Sequence, residues 1–135
     1  MTVAVAHQGS NDSDHVLLEA VREAHHRGEA LAVIHVRGAL DEDLEAAVGA
    51  GVKDAVERVT AKAGLPPVPY ELHFAAGTAD DLAAALLDET DAVKASILVI
   101  GARHRSPVGK AFLGSVSQRL ILEADVPVLV VKPAR

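Results

Sequence analysis

Five short apolar runs, alternating with four longer stretches of helical periodicity, constrain this chain more than any other feature. The runs are Thr2–Ala6, Ala30–Val36, Tyr70–Ala75, Ser96–Ile100 and Val126–Val131. Most are too apolar to present a wet face, the pattern of parallel strands covered by helices on both sides. Between them, Ser13–Arg27 places Leu17, Val21 and Ala24 on one helical face, with Asp12 or Ser13 as N-cap and Gly28 as a stop. Asp41–Ala63 spaces Leu44, Val48, Val52, Ala55 and Val59 three and four residues apart, and Gly64 with Pro66-Pro67 ends it. Gly49 and Gly51 each cost that helix about 1 kcal/mol relative to alanine. Thr78–Ala92 opens on Thr78 with Asp81 three residues later, and Ser115–Ala124 opens on Ser115-Val116-Ser117-Gln118, a capping-box pattern. The β-α-β-α-β-α-β-α-β order predicts an α/β fold with an open five-stranded parallel sheet, helices on both faces and right-handed crossovers.

At 135 residues the chain suits one domain, 1–135, since a second would leave both without an adequate core. The absence of cysteine excludes disulfides, thiolate metal sites and cysteine nucleophiles. No apolar run approaches a membrane span, and Met1-Thr2-Val3-Ala4-Val5 lacks the basic region and long apolar stretch of a secretory signal. The expected location is the cytoplasm, with no membrane partner. A net charge of −6 argues against a nucleic-acid partner.

That charge is unevenly distributed. Residues 1–91 carry 17 acids against 6 Lys/Arg, whereas 92–122 carry Lys94, Arg103, Arg105, Lys110 and Arg119 and no acid. A sign reversal this sharp points to a local anion site on an acidic protein. In open parallel sheets ligands bind beyond the carboxyl ends of the strands, at the switch in strand order. The candidate loops are His7–Asp12, Arg37–Leu40 and Gly101–Leu113. The last of these holds Arg103, His104, Arg105 and Lys110 and leads into Gly114-Ser115 at a helix start. Glycine admits an anion close to the backbone, and free N–H groups at a helix start favour negative charge. The Ser115 and Ser117 hydroxyls add donors. Alternatively, Ser115 simply caps its own helix.

Two common nucleotide motifs fail. Counting back from Gly109-Lys110, a P-loop needs glycine where His104 stands and Ser/Thr where Ala111 stands. No G-x-G-x-x-G follows the first strand. Among seven histidines no H-x3-H or H-E-x-x-H spacing occurs, so no metal site is expected. His35 and His73 read as packed or surface residues; His7 and His104 stand apart because both lie on the candidate loops. No residue pair has the look of a base and nucleophile, so efficient catalysis is not expected; Ser115 phosphorylation or slow ATP hydrolysis is the most the sequence supports.

The chain resembles the universal stress protein family over essentially its whole length. Gly101, the nine residues Arg105–Leu113 and Gly114-Ser115 follow the family's G-x2-G-x9-G-[ST] pattern. Val126-Pro127-Val128-Leu129-Val130-Val131 resembles its closing strand, Val33-Ile34-His35-Val36 its second strand, and Gly77 its glycine before the third helix. The departures are His104 at the second motif glycine, His7-Gln8 where an aspartate usually precedes Gly-Ser, and Ser96 in place of a frequent aspartate. The resemblance implies strand order 3-2-1-4-5 and an adenine-nucleotide alpha-hydrolase-like fold. It implies an adenine nucleotide, ATP foremost and with Mg2+ as an accompanying ion. The adenine would lie near Ala6, His7 and Val36, and the ribose and phosphates near Gly101, Arg103, His104, Arg105, Gly114, Ser115, Val116 and Ser117. It further implies a homodimer through Val126–Val131 and a sensor or adaptor role in stress. The alternative is a nucleotide-free dimer acting through protein–protein interaction alone.

Overall fold

The computed structural model describes residues 1–7, 13–37, 42–76, 82–105, 110–112 and 114–132, with main chain only at 13, 36, 37, 42, 76, 103–105 and 110–112. The first half runs β1 (Thr2–His7), α1 (Ser13–Arg27), β2 (Ala30–Arg37), α2 (Glu42–Lys62) and β3 (Tyr70–Ala76). The second runs α3 (Leu82–Ala92), β4 (Ala95–Gly101), β5 (Arg103–Arg105), β6 (Lys110–Phe112), α4 (Ser115–Glu123) and β7 (Val128–Val131). Five strands form one sheet in the order β3-β2-β1-β4-β7, and every neighbouring pair is parallel. This is the expected 3-2-1-4-5 arrangement. The chain builds β1, β2 and β3 to one side and then β4 and β7 to the other, so the switch point lies between β1 and β4.

Strand alternation divides the core in two. Val3, Val5, Leu31, Val33, Ile97 and Val99 pack with Leu17, Val21, Val52, Val56 and Val59 of α1 and α2. Ala4, Ile34, Leu98 and Ile100 pack with Ala83, Leu86 and Leu120 of α3 and α4. Each buried Val, Leu or Ile contributes roughly 1.5–3 kcal/mol, which is why strands with no polar face are stable only when covered on both sides.

Helix ends follow from backbone chemistry. Gly28 and Gly64 take φ of 65° and 67°. The N–H of Gly28 donates to the His25 carbonyl at 3.2 Å and that of Glu29 to Ala24 at 3.0 Å. The N–H groups of Gly64 and Leu65 repeat the pattern on Ala61 and Thr60. Both are left-handed caps that use a glycine after the last helical turn. Lys94 adopts φ 54° after α3 without being glycine.

Three expectations change. The segment after β4 was expected to be a loop, but β5 and β6 pair antiparallel there, with Arg103 opposite Phe112, His104 opposite Ala111 and Arg105 opposite Lys110. The closing strand starts at Val128 rather than Val126; Pro127 has no N–H to donate, yet its carbonyl still accepts from Leu98 N at 3.0 Å. The first strand runs through His7 rather than ending at Ala6. The expected caps Asp12, Thr78 and Asp81 lie outside the described residues. No described helix is long and apolar enough to cross a membrane.

Candidate functional site

The sheet brings three predicted segments to one edge. His7 ends β1, Val36 lies next to the end of β2, and Gly101 ends β4. Since β1 sits between β2 and β4, the three ends adjoin at the switch point. Ala6 packs toward the α3 and α4 side, and Gly114 stands at the start of α4. The side chains of Val36, Arg103, His104 and Arg105 lie outside the described residues, and so do Gln8, Gly9 and Ser10.

The two ends of the glycine motif are built for different purposes. A Cβ on Gly101 would stand 2.6 Å from Cγ2 of Val16 on α1. The missing side chain there lets helix and strand approach closely. A Cβ on Gly114 would meet no atom of the described residues within 4 Å, and Gly114 has extended backbone (φ −72°, ψ 169°) open to any residue. The fold therefore gives no internal reason for glycine at 114.

The expected serine cap is not formed. Gly114, not Ser115, is the N-cap of α4, and no side chain caps it. The first helical bond runs from Gln118 N to Gly114 O at 3.0 Å. That places Ser115 inside the first turn, where its exposed hydroxyl is not the cap acceptor. The N–H groups of the first turn are thus available to an anion. Two of the five cations of residues 92–122 are accounted for elsewhere. Lys94 precedes β4 at the opposite edge of the sheet, and Arg119 is paired with Glu123 at 2.6 Å. The main chain of Arg103, Arg105 and Lys110 lies in the paired strands β5 and β6.

His7 departs from its expected place on a loop. It is 9% exposed, its ring held against His35, itself 5% exposed. The parallel register sets His7 directly opposite His35, and their Nδ1 atoms lie 3.3 Å apart. Phe74 packs its ring edge-on to His35 with centroids 6.0 Å apart. Burial, reinforced by His35 and opposed by the Asp14 carboxylate, holds His7 below its ordinary pKa. The sequence reading takes His35 as a packed or surface residue and misses its contact with His7; in the structure it is packed. The signal was available, because the order 3-2-1-4-5 makes β1 and β2 neighbours and each ends close to a histidine. His73 is half-buried beside Glu71, 3.4 Å from Nε2.

The comparisons with known proteins come to the same architecture. A sequence model of the universal stress protein family matches residues 1–132. A universal stress protein of Thermus aquaticus is 33% identical over 97% of this chain and 98% of its own length. One from Mycolicibacterium smegmatis is 53% identical over a segment that spans 49% of each chain, about half the length of that relative. Among solved structures, the universal stress protein of Archaeoglobus fulgidus in complex with dAMP superposes with a TM-score of 0.69 at 26% identity, covering 98% of both chains. A universal stress protein in complex with cAMP gives 0.75 at 26% identity, covering 99% of this chain and 98% of its own.

Proposed function

This chain belongs to the universal stress protein family, and from that premise we propose that it binds an adenine nucleotide at the carboxyl edge of the sheet and acts as a dimeric, cytoplasmic sensor or adaptor. The observation that carries the reading is Gly114: its Cβ position meets no described atom within 4 Å, it stands at a helix start with no side-chain cap, and the strands that precede it in sequence carry Arg103, Arg105 and Lys110. Phosphate oxygens would accept from the N–H groups of Ser115, Val116 and Ser117 and from the serine hydroxyls. Each exposed charge gains roughly 0.3–1 kcal/mol from the helix start, and charge-assisted bonds from the hairpin add to it. The base would lie toward Ala6, His7 and Val36, with Gly101 and His104 bordering the ribose and phosphates. The dAMP and cAMP complexes of relatives support an adenine nucleotide; we propose ATP as the form bound, with Mg2+ as counter-ion to its phosphates.

The dimer would use β7. It is the last strand in the sheet order, and one side of an edge strand offers unpaired N–H and C=O groups that a second copy satisfies about a two-fold axis. Leu122 of α4, 83% exposed, adds apolar surface just before that strand.

Freshly purified protein, heat-denatured and cleared, should release an adenine nucleotide detectable by mass spectrometry. Stripped protein should bind ATP in a calorimeter, and Gly114→Val should abolish binding while the fold persists. Absence of nucleotide together with no heat at millimolar ATP would overturn the reading. Light scattering should give twice the chain mass; a monomer at high concentration would remove the dimer.

A further inference from the structure

We propose that His7 and His35 form a binding site for a late first-row transition-metal ion such as Zn2+, Ni2+ or Cu2+, a proposal that does not depend on nucleotide binding. The two rings project from neighbouring parallel strands at the same register, so the backbone hydrogen bonds of the sheet fix their separation. Their Nδ1 atoms lie 3.3 Å apart while the ring centroids lie 5.5 Å apart. The extra distance is about what two ring radii add, so the Nδ1 atoms occupy the facing sides of the two rings. A tetrahedral ion with metal–nitrogen bonds of about 2.0–2.1 Å holds two nitrogen ligands roughly 3.3–3.4 Å apart. The two histidines already stand at the spacing of adjacent ligands on such an ion, at the long end of the hydrogen bond that joins them without metal.

The surroundings suit a cation. Imidazole ligates as the neutral ring. The Asp14 carboxylate acts electrostatically on His7 in the sense that favours positive charge. It is clasped by Arg58 at 2.8 and 2.9 Å, which keeps it a neighbour and not a ligand. Phe74 fixes the His35 ring from the far side. Among the described residues no third His, Cys, Asp or Glu joins them. The remaining positions on the ion are therefore open to water or to a donor atom of a bound molecule, as in sites that exchange ligands. Without metal, one ring donates its Nδ1 proton to the other. On binding, that proton shifts to Nε2 of the same ring, both rings stay neutral, and the only charge gained is that of the ion. Imidazole donors select Zn2+, Ni2+ and Cu2+ over Mg2+ and Ca2+.

The test uses chelator-stripped, nucleotide-free protein. Titration with Zn2+ by calorimetry should show one ion per chain, and Co2+ should produce the visible bands of tetrahedral coordination. His7→Gln and His35→Gln should each weaken Zn2+ at least tenfold. His25→Ala and His26→Ala, on the exposed end of α1, should leave it unchanged. Should either Gln variant fold poorly, ring-nitrogen NMR of the unaltered protein decides the matter: Zn2+ must shift two histidine rings with nitrogen values typical of Nδ1 ligation. No binding at millimolar Zn2+, or binding that survives the double replacement and disappears with His25 and His26, would overturn the proposal. Protein that binds Zn2+ but no nucleotide supports this site while overturning the nucleotide reading; the converse result does the opposite.

Discussion

At the ends of β1 and β2 the polar groups turn inward, whereas at the start of α4 they are left open. His7 and His35 are nearly buried, aimed at each other, and closed over by Phe74. Along the same edge, the first turn of α4 has no side-chain cap, Ser115 is exposed and the Cβ position of Gly114 meets no described atom within 4 Å. In one half the polar side chains face each other within the protein. The other has first-turn N–H groups that no side-chain cap satisfies, and a molecule from outside can. Both halves lie beyond the carboxyl ends of parallel strands, so topology alone does not distinguish them; local packing does.

The sharpest way to break this comparison is to place the same methyl group on each glycine. Gly101→Ala drives a Cβ against Val16, a stiff β-branched side chain 2.6 Å away. Overpacking of this kind costs about 1–3 kcal/mol. Gly114→Ala meets nothing, and its stability should stay within about 0.5 kcal/mol of the parent. Urea denaturation of the two variants measures both. Nucleotide affinity should move in the opposite sense, with Gly114→Ala weakening ATP about tenfold or more and Gly101→Ala changing it little once folding is allowed for. Equal destabilisation by the two substitutions would erase the distinction.

A smaller effect sharpens the buried half. The folded pKa of His7 lies below its ordinary 6.5 because burial and His35 penalise the charged ring. The unfolded chain therefore binds more protons as pH falls through about 6.5, and the native state loses stability from there down toward the folded pKa of His7. In metal-free buffer the melting temperature should fall between pH 7 and 5, and His7→Gln should flatten that slope. An unchanged slope would mean that the acid sensitivity lies elsewhere, for example in the ion pairs of Asp14 with Arg58 or Glu19 with Arg22.

How much of this was legible in the sequence differs by residue and for physical reasons. The five strands were legible because burial on both faces demands unbroken apolar runs. The ends of α1 and α2 were legible because their caps need the left-handed backbone that Gly28 and Gly64 supply. The cap of α3 was not, since Lys94 adopts that backbone without being glycine. The β5–β6 pairing stayed hidden because Arg103-His104-Arg105 and Lys110-Ala111-Phe112 show no alternation of apolar and polar residues long enough to read as a strand. Only the turn-forming residues Ser106, Pro107 and Gly109 between them hinted at it. The His7–His35 contact joins residues 28 apart in sequence and follows from strand register, which no spacing of histidines encodes. In the glycine motif the positions of Gly101 and Gly114 were legible but their separate purposes were not, because those depend on where Val16 lies.

The smallest expected effect tests the open half most directly. A serine that caps its own helix loses about 1 kcal/mol on replacement by alanine, because an N–H of the first turn loses its acceptor. The sequence pattern Ser115-Val116-Ser117-Gln118 expects that loss. In the structure the cap position belongs to Gly114, and no side chain accepts there, so Ser115→Ala removes no cap bond. Alanine is also the better helix former at a position inside the first turn. Thermal and urea unfolding of nucleotide-free Ser115→Ala should therefore lie within about 0.5 kcal/mol of the parent, with any shift toward greater stability. With ATP present the variant should gain less stabilisation than the parent, because ligand binding raises stability in proportion to the logarithm of occupancy and a hydroxyl donor to phosphate is gone. A loss near 1 kcal/mol without nucleotide would mean that the serine closes its own helix start, and the two halves of the edge would then be built alike.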